Sequence, residues 1–293
     1  MAPKTRPELG PARELYLVSR STNGVCSESA VDRIEPIIES HWRTIWRFAA
    51  RVSLDARRAS EIVEETFLRA FIGAEKMPTG SQVERWLLRI ASHLTEKKAG
   101  GQDVSFEMLD EVLRSEATRT ETVASLSEPE KNFLLWELKQ GCMTAVINCL
   151  PPGERVAFVL SVIIGISENG GAQTLGITPS AYKVRLSRAR KKVADYLAPR
   201  CEHVDPANPC RCPSRLGIAL AKGFVKTQHG EVQIRPSFGR YGSGKNAPLR
   251  DVMAIYGSLP ETEPPEALLP HLLELAGSAK WQEIKARAGK GKG

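Results

Sequence analysis

The sequence has no apolar run long enough to cross a bilayer. The longest, Val156–Ile166, falls far short of the roughly 20 residues that a spanning helix needs. It also lacks the apolar core of a signal peptide, since Met1–Glu8 is polar and no apolar stretch follows. Six cysteines scattered irregularly through 293 residues do not make the disulfide framework of a small secreted domain. Together these absences lead us to expect a cytoplasmic chain with no membrane partner. No Ser/His/Asp arrangement and no pair of catalytic carboxylates is recognisable, so we expect no enzyme. The stretch Gly239–Asn246 has the G-x4-G-K of a phosphate loop, but Asn246 stands where Ser or Thr would hold magnesium. No strand–loop–helix pattern surrounds it, so it reads as a glycine-rich loop and a nucleotide-hydrolysing enzyme is set aside.

What is present is cationic and helical. The net charge is +7, an excess modest enough that its distribution matters more than its sum. Six basic residues and no acidic one lie between Thr178 and Lys192. Gly176 marks a turn, Thr178 is a good N-cap and Pro179 suits a first helical position. On a helix Tyr182, Leu186, Ala189 and Val193 share one buried face, while Ser180, Lys183, Ser187, Arg188 and Lys191 point away and Arg185 lies at the flank. Such an element fits a DNA major groove; for the isolated stretch the alternative is an ordinary solvated basic face.

Residues 1–30, which include the solitary Cys26, read as a flexible leader. Over residues 31–99 three helices are expected, from about Ile34 to Val52, Ala59–Phe71 and Val83–Leu94, each with apolar residues recurring at three and four. Residues 100–131 form an acidic linker: Gly100–Glu130 holds eight acidic residues against two basic, with about one helical turn near Phe106–Leu113. Periodicity returns over residues 132–199, at Phe133–Leu150 and Glu154–Ile164, with Pro151-Pro152-Gly153 between them. Cys142 and Cys149 share a face with Val146 and read as core cysteines. The expected fold is mainly α, with two helical domains joined by the acidic linker and a small α or α+β extension over residues 200–293.

Several phrases in this order resemble the extracytoplasmic-function (ECF) sigma factors of the bacterial sigma-70 family. ASEIVEETFLRAF (Ala59–Phe71) is similar to the second helix of sigma region 2, and ERWLLRIASHL (Glu84–Leu94) to its promoter-melting helix. LPPGERVAFVLSVIIGIS followed by LGITPSAYKVRLSRARKKV is similar to the helix-turn-helix of region 4. The resemblance implies a protein that performs no chemistry and lends promoter specificity to core RNA polymerase, with promoter DNA as second partner. It carries polymerase contact onto Glu61, Glu64, Glu65 and Phe67. It carries contact with the minus-ten strand onto Trp86, Arg89 and His93, a ring and a cation being suited to bases and phosphates; Trp86 reads equally well as core. Minus-thirty-five duplex contact falls on Thr178, Ser180, Lys183, Arg185 and Arg188, many of these contacts going to phosphate. The sequence departs from the family at His93 and Lys97, where Asn and Asp are usual, and at Asn169-Gly170-Gly171-Ala172, where EEIA is usual. With each interior glycine costing about 1 kcal/mol, the scaffold helix is expected to be marginal. These departures sustain an alternative, a sigma-like metal-responsive regulator that binds DNA or polymerase without initiating transcription.

The tail opens with CEHVDPANPCRC. Cys201, His203, Cys210 and Cys212 are four metal-binding residue types within twelve residues, shaped by Pro206 and Pro209. No cofactor is required by a sigma factor; these thiols and imidazole suit zinc or copper(I), and equally a set of reduced cysteines or a redox pair. Regulation through the tail, or by an anti-sigma factor, is what such an extension implies. Phe224–Gln228 and Glu231–Arg235 alternate as a hairpin would. Pro264-Pro265 introduces a last helix over Glu266–Ala288, whose leucine side needs a partner.

Overall fold

A computed structural model describes residues 30–98, 104–114, 126–221, 251–259 and 262–290. The leader with Cys26, the hairpin stretch and Gly239–Asn246 lie outside the described residues. Helix α1 (Ala30–Val52) buries the stripe Ile34, Ile38, Trp42, Ile45, Ala49 and Val52 that its periodicity predicts. Helix α2 (Ala56–Ile72) starts at Asp55, whose side chain accepts the Arg58 N–H at 2.8 Å. A short 3-10 turn, Ala74–Lys76, leads to α3 (Gln82–Lys98), and the three helices pack on one another.

The acidic linker carries more structure than one turn. Helix α4 (Phe106–Arg114) sets Phe106 against the Tyr196 ring, centroids 4.8 Å apart, and Asp110 accepts two hydrogen bonds from Arg200, each 2.9 Å. Helix α5 (Glu128–Asn148) opens with a capping box of Ser127 and Glu130. Pro151 and Pro152 end it and begin α6 (Pro152–Phe158), which widens into a π-helical stretch, Val159–Ile163, where Ile164 N–H reaches the Val159 carbonyl at 3.0 Å. Helices α7 (Glu168–Leu175) and α8 (Pro179–Leu197) follow, joined at Gly176, whose φ of 66° lies in the left-handed region that glycine tolerates.

The extension adds α9 (Cys212–Ala221), α10 (Val252–Gly257), α11 (Leu268–Gly277) and α12 (Ala279–Lys290). Among the described residues it holds no strand, only an isolated bridge between Cys201 and Cys210. The single last helix expected over Glu266–Ala288 is two helices, because Ser278 turns to ψ 145° after Gly277. Its apolar side does find a partner within the chain: α11 packs on α1 and α2, and α12 on α2.

One apolar core runs through both helical units and the extension, from Ile34 to Trp281. A buried polar seam joins the units. The Arg51 guanidinium donates to Thr144 Oγ1 (3.1 Å), and Asn148 Nδ2 donates to the Arg51 and Thr144 carbonyls (3.2 and 2.8 Å). Arg155 donates to the Asn148 and Leu150 carbonyls at 2.7 and 3.2 Å and, more weakly, to Val52 at 3.4 Å. Burial lowers Arg51 to about 10, with Tyr256 opposing and Arg47 adding to the shift, so it remains charged near neutrality. On the far side Trp46 Nε1–H donates to the Thr262 carbonyl (2.8 Å), and the Tyr256 hydroxyl to that of Met143 (3.1 Å).

Helix α7 forms over Glu168–Leu175 with both interior glycines in place. Ser167 caps it by accepting the Gly170 N–H, and Gly171 leaves room for the ring of Tyr182. A Cβ at position 171 would stand well inside contact distance of the Tyr182 ring and hydroxyl. That hydroxyl lies 2.8 Å from Ser161 Oγ and donates to the Ala157 carbonyl at 3.1 Å, so the ring is fixed from the other side. The helix thus gives up a side chain of its own and receives one from α8. Gly171→Ala, which improves helix propensity, is expected to lower stability by about 1–3 kcal/mol through overpacking. Urea denaturation checks this, and a neutral or stabilised variant would contradict the fit described.

Candidate nucleic-acid and polymerase surfaces

Helix α8 has the two faces expected of it. Thr178 Oγ1 accepts the Ala181 N–H at 3.2 Å, and Tyr182, Leu186, Ala189 and Val193 are buried. Thr178, Ser180, Lys183 and Arg188 are exposed along one side, together with Val184. Arg185 is different: it is half-buried, pairs with Glu96 of α3 at 3.1 Å and stands over Gly153. Lys183 and Arg190 each lie 3.9 Å from Glu168, and Lys192 pairs with Glu154 at 2.8 Å. The two exposed pairs to Glu168 are worth little and exchange readily for phosphate, whereas Glu154 is largely buried beside Lys192.

On α3 the three residues assigned to single-stranded DNA take different surroundings. His93 is exposed and Trp86 is half-buried, with its ring near Gly73. Arg89 is exposed, yet its guanidinium donates to the Thr174 carbonyl at 2.8 Å and to that of Gln173. Arg85 adds a bond to Gln173 Oε1 at 2.7 Å. Two cations therefore sit at the C-terminal end of α7, where the helix dipole and the unpaired carbonyls favour positive charge. The melting-type helix and the helix-turn-helix are clasped together, with Arg89 and Arg185 both turned inward. Neither Glu96 nor Gln173 carried any sequence signal of this, since both read as ordinary polar surface positions.

The carboxylates assigned to polymerase contact lie along α2. Glu61 is exposed and pairs with Arg57 (2.9 Å), Glu65 pairs with Arg69 (2.8 Å), and Glu64 lies 3.5 Å from His271 Nε2 of α11. Phe67 is fully buried, so in this arrangement it supports the helix from inside and offers no surface to a partner.

The tail motif closes a small cluster between α8 and α9. Cys212 Sγ and His203 Nε2 are 3.3 Å apart, and Glu202 joins them, the three donor atoms lying within 4.8 Å of one another. Glu202 also accepts the Cys212 N–H at 2.6 Å at the start of α9. Cys201 and Cys210 are brought side by side by backbone bonds, Glu202 N–H to the Cys210 carbonyl and Cys210 N–H to that of Arg200, but they do not join the donor group. Of the four residues that the spacing pointed to, the structure gathers two and adds a carboxylate. Counting only Cys and His overlooked Glu202. Burial pushes the Cys212 thiol up, and Cys142 of α5 is the first of the neighbouring charges that push it further. Cys142, half-buried on α5 where the pattern predicts a core position, is raised to about 12, by burial and then by Cys201 and Cys210.

Residues 140–193, which span most of α5 through α8, match the family described as Sigma-70, region 4. The ECF RNA polymerase sigma factor SigE of Mycolicibacterium smegmatis is 27% identical over 178 residues, a match spanning 58% of this chain and 64% of that protein. The ECF RNA polymerase sigma factor SigW of Bacillus subtilis is 24% identical over 57% of this chain and 89% of its own length. Among solved structures, the sigma factor RpoE of Bartonella quintana, crystallised with the anti-sigma factor NepR, is 20% identical over 55% of this chain and 94% of its own, with a TM-score of 0.37. No described helix is long and apolar enough to cross a membrane. The match to region 4 lies on the scaffold helix and most of the capped cationic helix, and the two relatives to which the chain is similar are both ECF RNA polymerase sigma factors.

Proposed function

We propose that this protein is a sigma factor that binds core RNA polymerase, directs it to particular promoters and starts transcription there, catalysing no bond change itself. The observation that carries this is α8: a capped helix, buried on one side and cationic on the other, inside the segment that matches region 4. The names of its relatives support the same reading. The protein then works in the cytoplasm, where polymerase and promoter DNA are. Lys183 and Arg188 supply phosphate contacts that set register, while Thr178, Ser180 and the exposed Val184 are the groups that can read base edges, Val184 through a thymine methyl. Run-off transcription with core polymerase on a promoter library tests the reading; transcripts that depend on the protein are expected, and their absence on every template would refute initiation. Lys183→Ala with Arg188→Ala is expected to weaken duplex binding and to reduce the slope of log affinity against log salt by about 2. An unchanged slope would remove α8 from the interface.

We further propose that Glu202, His203 and Cys212 bind one zinc ion. One sulfur, one nitrogen and one oxygen donor suit a borderline cation better than copper(I), which prefers thiolates alone. Bound there, zinc would fix the turn after α8 to the start of α9, which packs on α5. Protein purified under reducing conditions is expected to carry about one equivalent of zinc. Cys212→Ser and His203→Ala are expected to lose it and Cys201→Ser to keep it. Retention in the first two variants, or loss only in the third, would overturn the donor set.

A further inference from the structure

The face of α2 is already occupied by the chain's own end. Helices α11 and α12 bury Leu268, Leu272, Ala276 and Trp281 in the common core. Trp281 meets the Phe71 ring of α2 with centroids 5.7 Å apart, and Lys285 Nζ stands 5.1 Å from the same ring. About two turns back on α2, His271 Nε2 approaches Glu64, the middle of the acidic row. A basic ammonium and an imidazole have thus come to a helix that is acidic along its outer edge. That is the chemistry expected of an external partner helix on this surface.

We propose that α11 and α12 form a cover, built into the chain, over the α2 surface that binds polymerase, so that the arrangement described here is a silent form and polymerase must displace the cover to bind. This rests on the sigma-factor reading above. The cover is suited to release. Its helices have ten and twelve residues, too short to hold their shape in water without the surface beneath them. Its polar contacts to α2 lie at the rim, half-exposed, where they set register and rate more than strength. The clasp of Arg85 and Arg89 on α7 belongs to the same closed form, because it turns an expected strand-binding cation onto the helix-turn-helix. Release of the cover would therefore precede, or accompany, opening of the two DNA-facing elements.

The test uses the full-length chain and core RNA polymerase. His271→Glu with Lys285→Glu sets two acids against α2 at positions that are not fully buried, and Leu272→Asp breaks the buried side of the same seam. If the cover is closed about 90% of the time, opening it raises the apparent affinity for polymerase about tenfold. Both variants are expected to bind polymerase more tightly by a factor of this order, with helix content by circular dichroism retained in the surface pair. Hydrogen exchange in α11 and α12 of the unaltered protein is expected to accelerate when polymerase is added. Equal or weaker binding by the folded surface variant, or unchanged protection of α11 and α12 in the complex, would overturn the cover. If neither the unaltered protein nor the variants bound polymerase, the sigma-factor reading itself would fall.

Discussion

The guanidinium of Arg155 holds the molecule at its waist. It lies almost wholly out of solvent, and its hydrogen bonds go to carbonyls at the end of α5 and, more weakly, at the end of α1. Proline at positions 151 and 152 forces the chain out of α5 there, leaving carbonyls that need donors in a place water does not reach. Arg155 supplies them from the first turns of α6, and Arg51 and Asn148 extend the same network into α1. With α1 fixed against α5 and α6, α3 comes to lie along α6 and α7, and the clasp between Arg89 and the end of α7 follows. The interface is polar at its centre and apolar around it. Such an interface is specific in register and still able to part, because every group in it can be rehydrated.

Much of this was legible in the sequence wherever a single helix decides its own environment. The stripes of α1, α2 and α8 came out buried residue for residue, and the cap at Thr178 and the turn at Gly176 are where the local chemistry put them. The failures have a common cause, which is that the deciding atom lies far along the chain. Gly171 reads as a weak point until Tyr182, eleven positions on, is seen to fill the space it leaves. Phe67 follows the pattern of a core residue and also the pattern of a family's contact helix, and burial won. Gly277 was the one local sign that the last helix breaks, and the leucines before it, with Trp281 after it, hid it. The cysteine motif was visible, but its geometry was not. Backbone pairing of Cys201 with Cys210 turns their neighbours, and not their own thiols, into the donor group.

The acidic linker illustrates how charge and packing divide the work. Its composition reads as solvated chain. Asp110 nevertheless takes both arms of the Arg200 fork, and this pairing holds the Arg200 charge more firmly. Phe106 anchors the same helix on Tyr196, where Arg200 also stands over the ring at 4.6 Å. A connection between the two helical units is thereby fastened to the far end of the recognition-type helix, just before the cysteine motif begins.

The contact between Gly171 and Tyr182 also has a geometric meaning. Tyr182 lies near the start of α8, four residues after its cap, and its hydroxyl is held by Ser161 and Ala157. The ring is a rigid spacer between the two helices, with its thickness on one side and no side chain at all on the other. The crossing angle of scaffold and recognition helix is therefore set by a missing methyl group. The tilt of α8 and of its first turn is inherited from that absence.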